Sequence, residues 1–144
     1  MKRPGEITMV APCGINCGHC GAHMVKDNPE YMDRLLAVGF KKEMLPCAGC
    51  RAIKGCCALI GSTCETYACI DKRGFNFCFE CPEFPCAKLN PAADRANILP
   101  HNTKVFNLCI IQRHGLKRFL EKELEIKQRY YSGKMEIGKG PQLK

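Results

Sequence analysis

Cys13-Gly14-Ile15-Asn16-Cys17-Gly18-His19-Cys20 sets three thiols in one short loop, and Cys78-Phe79-Glu80-Cys81-Pro82-Glu83-Phe84-Pro85-Cys86 sets three more at the end of the same cysteine-rich stretch. Between them stand Cys47 and Cys50, the adjacent Cys56 and Cys57, and Cys64 and Cys69. C-x2-C and C-x3-C-x2-C spacings bring thiolates together over a single cation, whereas cysteines so close in sequence bridge one another poorly. Thiolate is a soft ligand, which selects zinc or an iron–sulfur cluster over magnesium or calcium.

Of the 144 residues, 13 are cysteine, and this odd count also argues against a disulfide framework. The ligand set expected from spacing is Cys13, Cys17, Cys20, Cys47, Cys50, Cys57, Cys64, Cys69, Cys78, Cys81 and Cys86. Adjacent side chains diverge, so one of Cys56 and Cys57 binds. His19 and His23 stand near enough in sequence to complete a three-thiol group. Such a set holds about two or three zinc ions. Cys109 sits in an apolar helical stripe and is expected in the core.

The alternative cofactor is an iron–sulfur cluster, since Cys81-Pro82 matches the cysteine–proline step of ferredoxin loops, although the evenly spaced run before it is missing. The first triplet also matches that of radical S-adenosylmethionine enzymes, but no glycine-rich series of strands and helices follows it. Enzymatic function is disfavoured. No βαβ pattern surrounds a C-x2-C pair as in thiol oxidoreductases, and His101 and His114 have no matching nucleophile.

The formal charge is +8. About twelve thiolates on three zinc ions would add roughly −6, leaving about +2, so basicity is weak support for a polyanion partner. There is no Trp and no Lys/Arg run interleaved with aromatics, which disfavours nucleic acid. No apolar stretch spans a membrane, and the segment from Ile7 ending at Pro12 is too short for a signal peptide, so the expected compartment is the cytoplasm. Any partner expected is a protein.

Two regions are expected: a cysteine-rich metal-binding module over 1–90 and a helical extension over 91–144, packed on it and ending in a loop or arm. The first ten residues read as an arm or short strand. Asn28-Pro29 starts a helix that Gly39 stops. Residues 47–86, broken by Gly49, Gly55, Gly61 and Gly74, read as irregular backbone. Pro85 opens a short turn of helix, and Asn90-Pro91 starts another over 92–98. Asn102 or Thr103 caps a helix to Gly115, and a second runs from Leu116 towards Tyr131 with Gly133 as its stop. The alternating charges from Lys117 to Arg129 read as a solvated face. The fold class is therefore a small, metal-stapled α-plus-irregular protein with few short strands, a zinc-knuckle-like half packed against C-terminal helices.

The ordered series Ala11-Pro12-Cys13-Gly14-Ile15-Asn16-Cys17-x2-Cys20, Cys47-Ala48-Gly49-Cys50-Arg51, Cys64-x4-Cys69 and Cys78-x2-Cys81-Pro82-Glu83-Phe84-Pro85-Cys86 resembles the family catalogued as domain of unknown function 3795. The resemblance covers roughly residues 10–90. It implies a cysteine-rich, zinc-binding module with no assigned reaction. Members commonly carry a further cysteine where this chain has Gly61, and Cys57 or Cys56 stands nearest to replace it. The helical segment after it resembles an extension found in a subset of such proteins. The functional expectation is a zinc-stapled binding or scaffolding module, with an iron–sulfur redox protein and a zinc-dependent nucleic-acid binder as alternatives.

Overall fold

The computed structural model describes residues 9–143. Roughly half of it is helical, and two short antiparallel strand pairs complete it. A 3-10 turn at Cys17–His19 leads into α1 (Gly21–Met24), and another at Pro29–Tyr31 leads into α2 (Met32–Val38). β1 (Cys56–Cys57) pairs with β2 (Ser62–Thr63), Cys56 opposite Thr63, and α3 (Glu65–Arg73) follows. Further 3-10 turns lie at Cys78–Glu80, Ala87–Leu89 and Pro100–Thr103. α4 (Lys104–His114) and α5 (Leu116–Ser132) then fold back on each other, and β3 (Lys134–Glu136) pairs with β4 (Gly140–Gln142).

Local chemistry accounts for the helices that the sequence announces. Pro29 occupies the first position after Asn28, where its missing N–H costs nothing. Gly39 ends α2 at φ +117°, its N–H turned back to the Leu35 and Leu36 carbonyls, in the left-handed conformation glycine adopts without strain. The α4–α5 break falls at Gly115, as expected.

Elsewhere the chain departs from expectation. Residues 47–86 are not irregular throughout: α3 starts at Cys64 and ends at Gly74, whose φ of +74° makes it a helix cap and not merely a breaker. The helix expected over 92–98 is absent, and turns replace it. Its backbone is claimed by side chains instead. Asn102 Oδ1 accepts from the Ala92 N–H and its Nδ2 donates to the Ala92 carbonyl, both at 2.9 Å, while His101 Nε2 donates to the Asn90 carbonyl at 2.7 Å. Tyr130 donates its hydroxyl to the Ala96 carbonyl at 2.7 Å, and Arg95 takes φ +55°, outside the right-handed helical region.

The tail expected as a loop is the β3–β4 hairpin as far as Gln142. Cys109 is exposed, not in the core, because α4 buries its Asn107, Leu108 and Ile111 side and turns Cys109 outward. The charged face of α5 is not wholly solvated either: Glu123 is buried. Residues 1–8 of the expected N-terminal arm lie outside the described residues. Val10 forms an antiparallel bridge with Asn16.

One core joins the two parts of the chain. Val10, Ile70, Phe77, Cys78 and Leu89 pack with Leu108 and Ile111 of α4 and Phe119 of α5. A satellite of Ala22, Val25 and Leu35 lies beneath α1 and α2. The triplet loop rests closely on α4. At Gly14, φ +92°, a Cβ would stand 3.0 Å from Leu108 Cγ and 3.1 Å from the Lys104 carbonyl oxygen. Asn107 Nδ2 donates to the Gly14 carbonyl there at 3.0 Å.

Gly55 is tighter still. At φ +77°, a Cβ would lie 2.5 Å from Tyr67 Cγ on α3. Gly55→Ala is therefore expected to cost about 1–3 kcal/mol from backbone strain and overlap combined. Denaturant unfolding measures this, and an unchanged midpoint would show that the β1 loop does not seat against α3.

Candidate metal centre

The thiols gather in three neighbourhoods, each built from segments distant in sequence. The best defined lies between α3 and the loop after Cys78. Cys69, Cys78, Cys81 and Cys86 all line one cavity of about 110 Å³, with Arg73, Glu83 and Leu89 among its other walls. α3 brings Cys69, one turn before Arg73, to this loop. Arg73 Nη1 donates to Cys81 Sγ at 2.9 Å, and the Glu83 N–H donates to the same sulfur at 3.4 Å.

Cys78 is the buried member, and burial pushes its thiol up to about 12. Charge at Cys13, Cys86 and Cys69 acts in the same direction, and Lys104 opposes it. The loop is tied to the first triplet by its backbone, the Cys78 N–H donating to the Pro12 carbonyl at 2.9 Å.

The second neighbourhood joins the triplet to the C-x2-C pair. Burial raises Cys17 to about 12; the Cys50 N–H, donating to Cys17 Sγ at 3.4 Å, opposes the rise, and charge on Cys13, Cys20 and Cys47 adds to it. Cys50 is also raised, chiefly by burial and then by Cys13, Cys17 and Cys64. Gly49, at φ +108°, makes the turn that presents this amide, the open conformation expected of a knuckle.

Cys47 is raised by burial, with Cys20 and Cys57 adding repulsion, and this marks the third neighbourhood. His23 borders it. Its Nδ1 lies 2.7 Å from the Cys47 carbonyl oxygen, which can only accept, so Nδ1–H donates and Nε2 is the ring nitrogen outside this bond. Metal-binding histidines are commonly oriented this way.

Burial and repulsion from neighbouring thiols raise Cys17, Cys47, Cys50 and Cys78, an effect that a dication beside them would offset. Among the described residues, no three His, Cys, Asp or Glu side chains converge closely enough to hold an ion as they stand, so closing a site requires thiols to turn inward. Cys56 and Cys109 are both exposed, as is Cys86, but neither lines the cavity that Cys86 lines.

A family model described as a protein of unknown function, DUF3795, matches residues 9–91. The chain belongs to this family. The DUF3795 match spans every cysteine of the three neighbourhoods and ends just after Leu89, before α4 and α5. No curated protein and no solved structure matches the chain. No helix among the described residues is long and apolar enough to cross a membrane.

Sequence reasoning missed three side chains. Arg73 was hidden because α3 was not foreseen. Arg51, half-buried, ties the module together: Nε donates to the Val10 carbonyl at 2.7 Å, Nη2 donates to the Asn76 carbonyl at 2.6 Å, and the guanidinium lies 5.0 Å from the Phe77 ring centre. Glu123 could have been found, since it follows Phe119 by four residues and so shares its buried stripe, whereas Leu124 is 60% exposed.

Proposed function

We propose that this DUF3795 chain is a zinc-stapled binding or scaffolding module of the cytoplasm. The observation that carries the reading is that Cys69, Cys78, Cys81 and Cys86 all line one cavity of about 110 Å³, into which they would have to turn to close a site. Four thiols on one small space suit a closed tetrahedral site, and the soft donor set suits zinc. On the same reading Cys13, Cys17, Cys50 and Cys64 hold a second ion, and Cys20, Cys47 and Cys57 hold a third with His23 as fourth ligand. A closed four-ligand site has no place for substrate, so the metal serves structure and the module serves contact with a protein partner.

Metal analysis of the full chain purified without oxygen tests this. The expected result is colourless protein with about two or three zinc ions per chain. Brown protein with visible thiolate-to-iron absorption would replace zinc by a cluster, and metal-free protein with native structure would remove the staple altogether.

A further inference from the structure

Away from the thiol cavity, a second and much larger cleft lies between α1 and α2 on one side and the 95–103 loop, α4 and α5 on the other. Its volume is about 830 Å³, within the roughly 300–1,000 Å³ typical of small-molecule sites. Leu35 and Phe40 from one side and Ile126 from the other give it apolar walls. The loop wall is held in place by α5, through the Tyr130 bond to Ala96 and the Tyr131 hydroxyl 3.5 Å from the Ile98 carbonyl.

The polar walls are unbalanced in charge. Arg34, Arg95 and Lys127 border the cleft, against one carboxylate, Glu123. That carboxylate is already engaged: His19 Nδ1 donates to Glu123 Oε1 at 2.5 Å, and Asn16 Nδ2 donates to the same oxygen at 3.4 Å. Among the described residues Lys127 Nζ donates to the His19 carbonyl, at 2.7 Å, and Arg34 has no carboxylate partner, lying over the Tyr31 ring, whereas Arg95 Nε stands 3.7 Å from the exposed Asp94 carboxylate.

A second observation is independent of charge. Asn107, 4% exposed and one of the cleft's walls, gives its amide hydrogens to Gly14 and Thr103, and its Oδ1, itself buried from solvent, has no donor among the described residues. A buried acceptor left alone is costly, and a ligand donor that reached it would recover that cost.

We propose that this cleft binds a small organic anion that has an apolar body and an N–H or O–H donor. The anionic group meets Arg34, Arg95 and Lys127, the body lies against Leu35, Phe40 and Ile126, and the donor reaches the buried Asn107 Oδ1 once the wall at Asn107 gives way to the ligand. The cleft shares Cys20 with the third thiol neighbourhood, but the proposal invokes no metal.

Anilinonaphthalene sulfonate carries all three features and reports binding by fluorescence; phenylnaphthylamine is its uncharged counterpart. Both are titrated into the full chain, into Arg34→Gln, and into Val38→Trp, which places an indole in the cleft. Saturable one-to-one binding of the sulfonate is expected, weakened about tenfold or more in Arg34→Gln and lost in Val38→Trp, with metal content and far-ultraviolet dichroism unchanged. Phenylnaphthylamine is expected to bind at least about tenfold more weakly and to be indifferent to Arg34→Gln. No sulfonate binding, binding at several weak sites untouched by either substitution, or equal affinity for the neutral probe would overturn the proposal.

Discussion

Cys78→Ser is expected to carry about one zinc ion fewer than the parent chain and to lose most of its thermal stability. Cys78 serves two roles at once. It is one of four thiols on the small cavity and also a buried member of the main core beside Leu89 and Ile111. Structural zinc contributes on the order of 10 kcal/mol to folding in small domains, far more than the net stability of such a chain. Serine there leaves a hydroxyl among apolar side chains and a site with three thiols. Cys109→Ser, on the exposed face of α4, is the control and should change neither metal content nor melting temperature. Equal zinc in the Cys78→Ser and Cys109→Ser chains would sink the assignment of that site.

Phe119→Ala should cost about 3–5 kcal/mol and lower the melting temperature by roughly 10–15 °C. Phe119 is fully buried where α5 meets α4, Val10 and the loop after α3, and collapse around an alanine is resisted by groups anchored elsewhere. Arg51 fixes Val10 through its carbonyl, and the Pro12–Cys78 hydrogen bond fixes the loop. Denaturant titration gives the number. A loss below about 1 kcal/mol would mean that the helical hairpin sits on the cysteine-rich part without sharing its core.

Much of the helical content was legible because its signals are local. Asn28-Pro29 with Gly39 brackets one helix, and Gly115 separates two others, each through the φ it prefers or forbids. The cysteine spacings named the thiols that gather, and their family, without pairing distant segments: nothing in Cys69 announces Cys86. The errors share a cause. The helix expected over 92–98 loses its carbonyls and amides to Asn102, His101 and Tyr130, partners that lie up to 34 positions away. Cys109 and Glu123 exchanged their expected places because a helical stripe can be read one residue out of phase, and only the packing against Gly14 and His19 sets the phase. Glu65–Arg73 was invisible because it buries only Ile70 and, unlike α2, has no Asn-Pro step to announce its start, Cys64 standing at the cap without a side-chain hydrogen bond.

The carboxamide of Asn107 has one end on the triplet's backbone at Gly14 and the other unclaimed in the wall of the large cleft. On the two proposed readings this one planar group would link the sites. An occupant that fixed Asn107 would steady the loop from which Cys13 and Cys17 project, and by thermodynamic reciprocity an ion held by that loop would then tighten the cleft for its occupant by the same factor. The cysteine-rich half and the helical half would then share a free-energy cycle as well as a core.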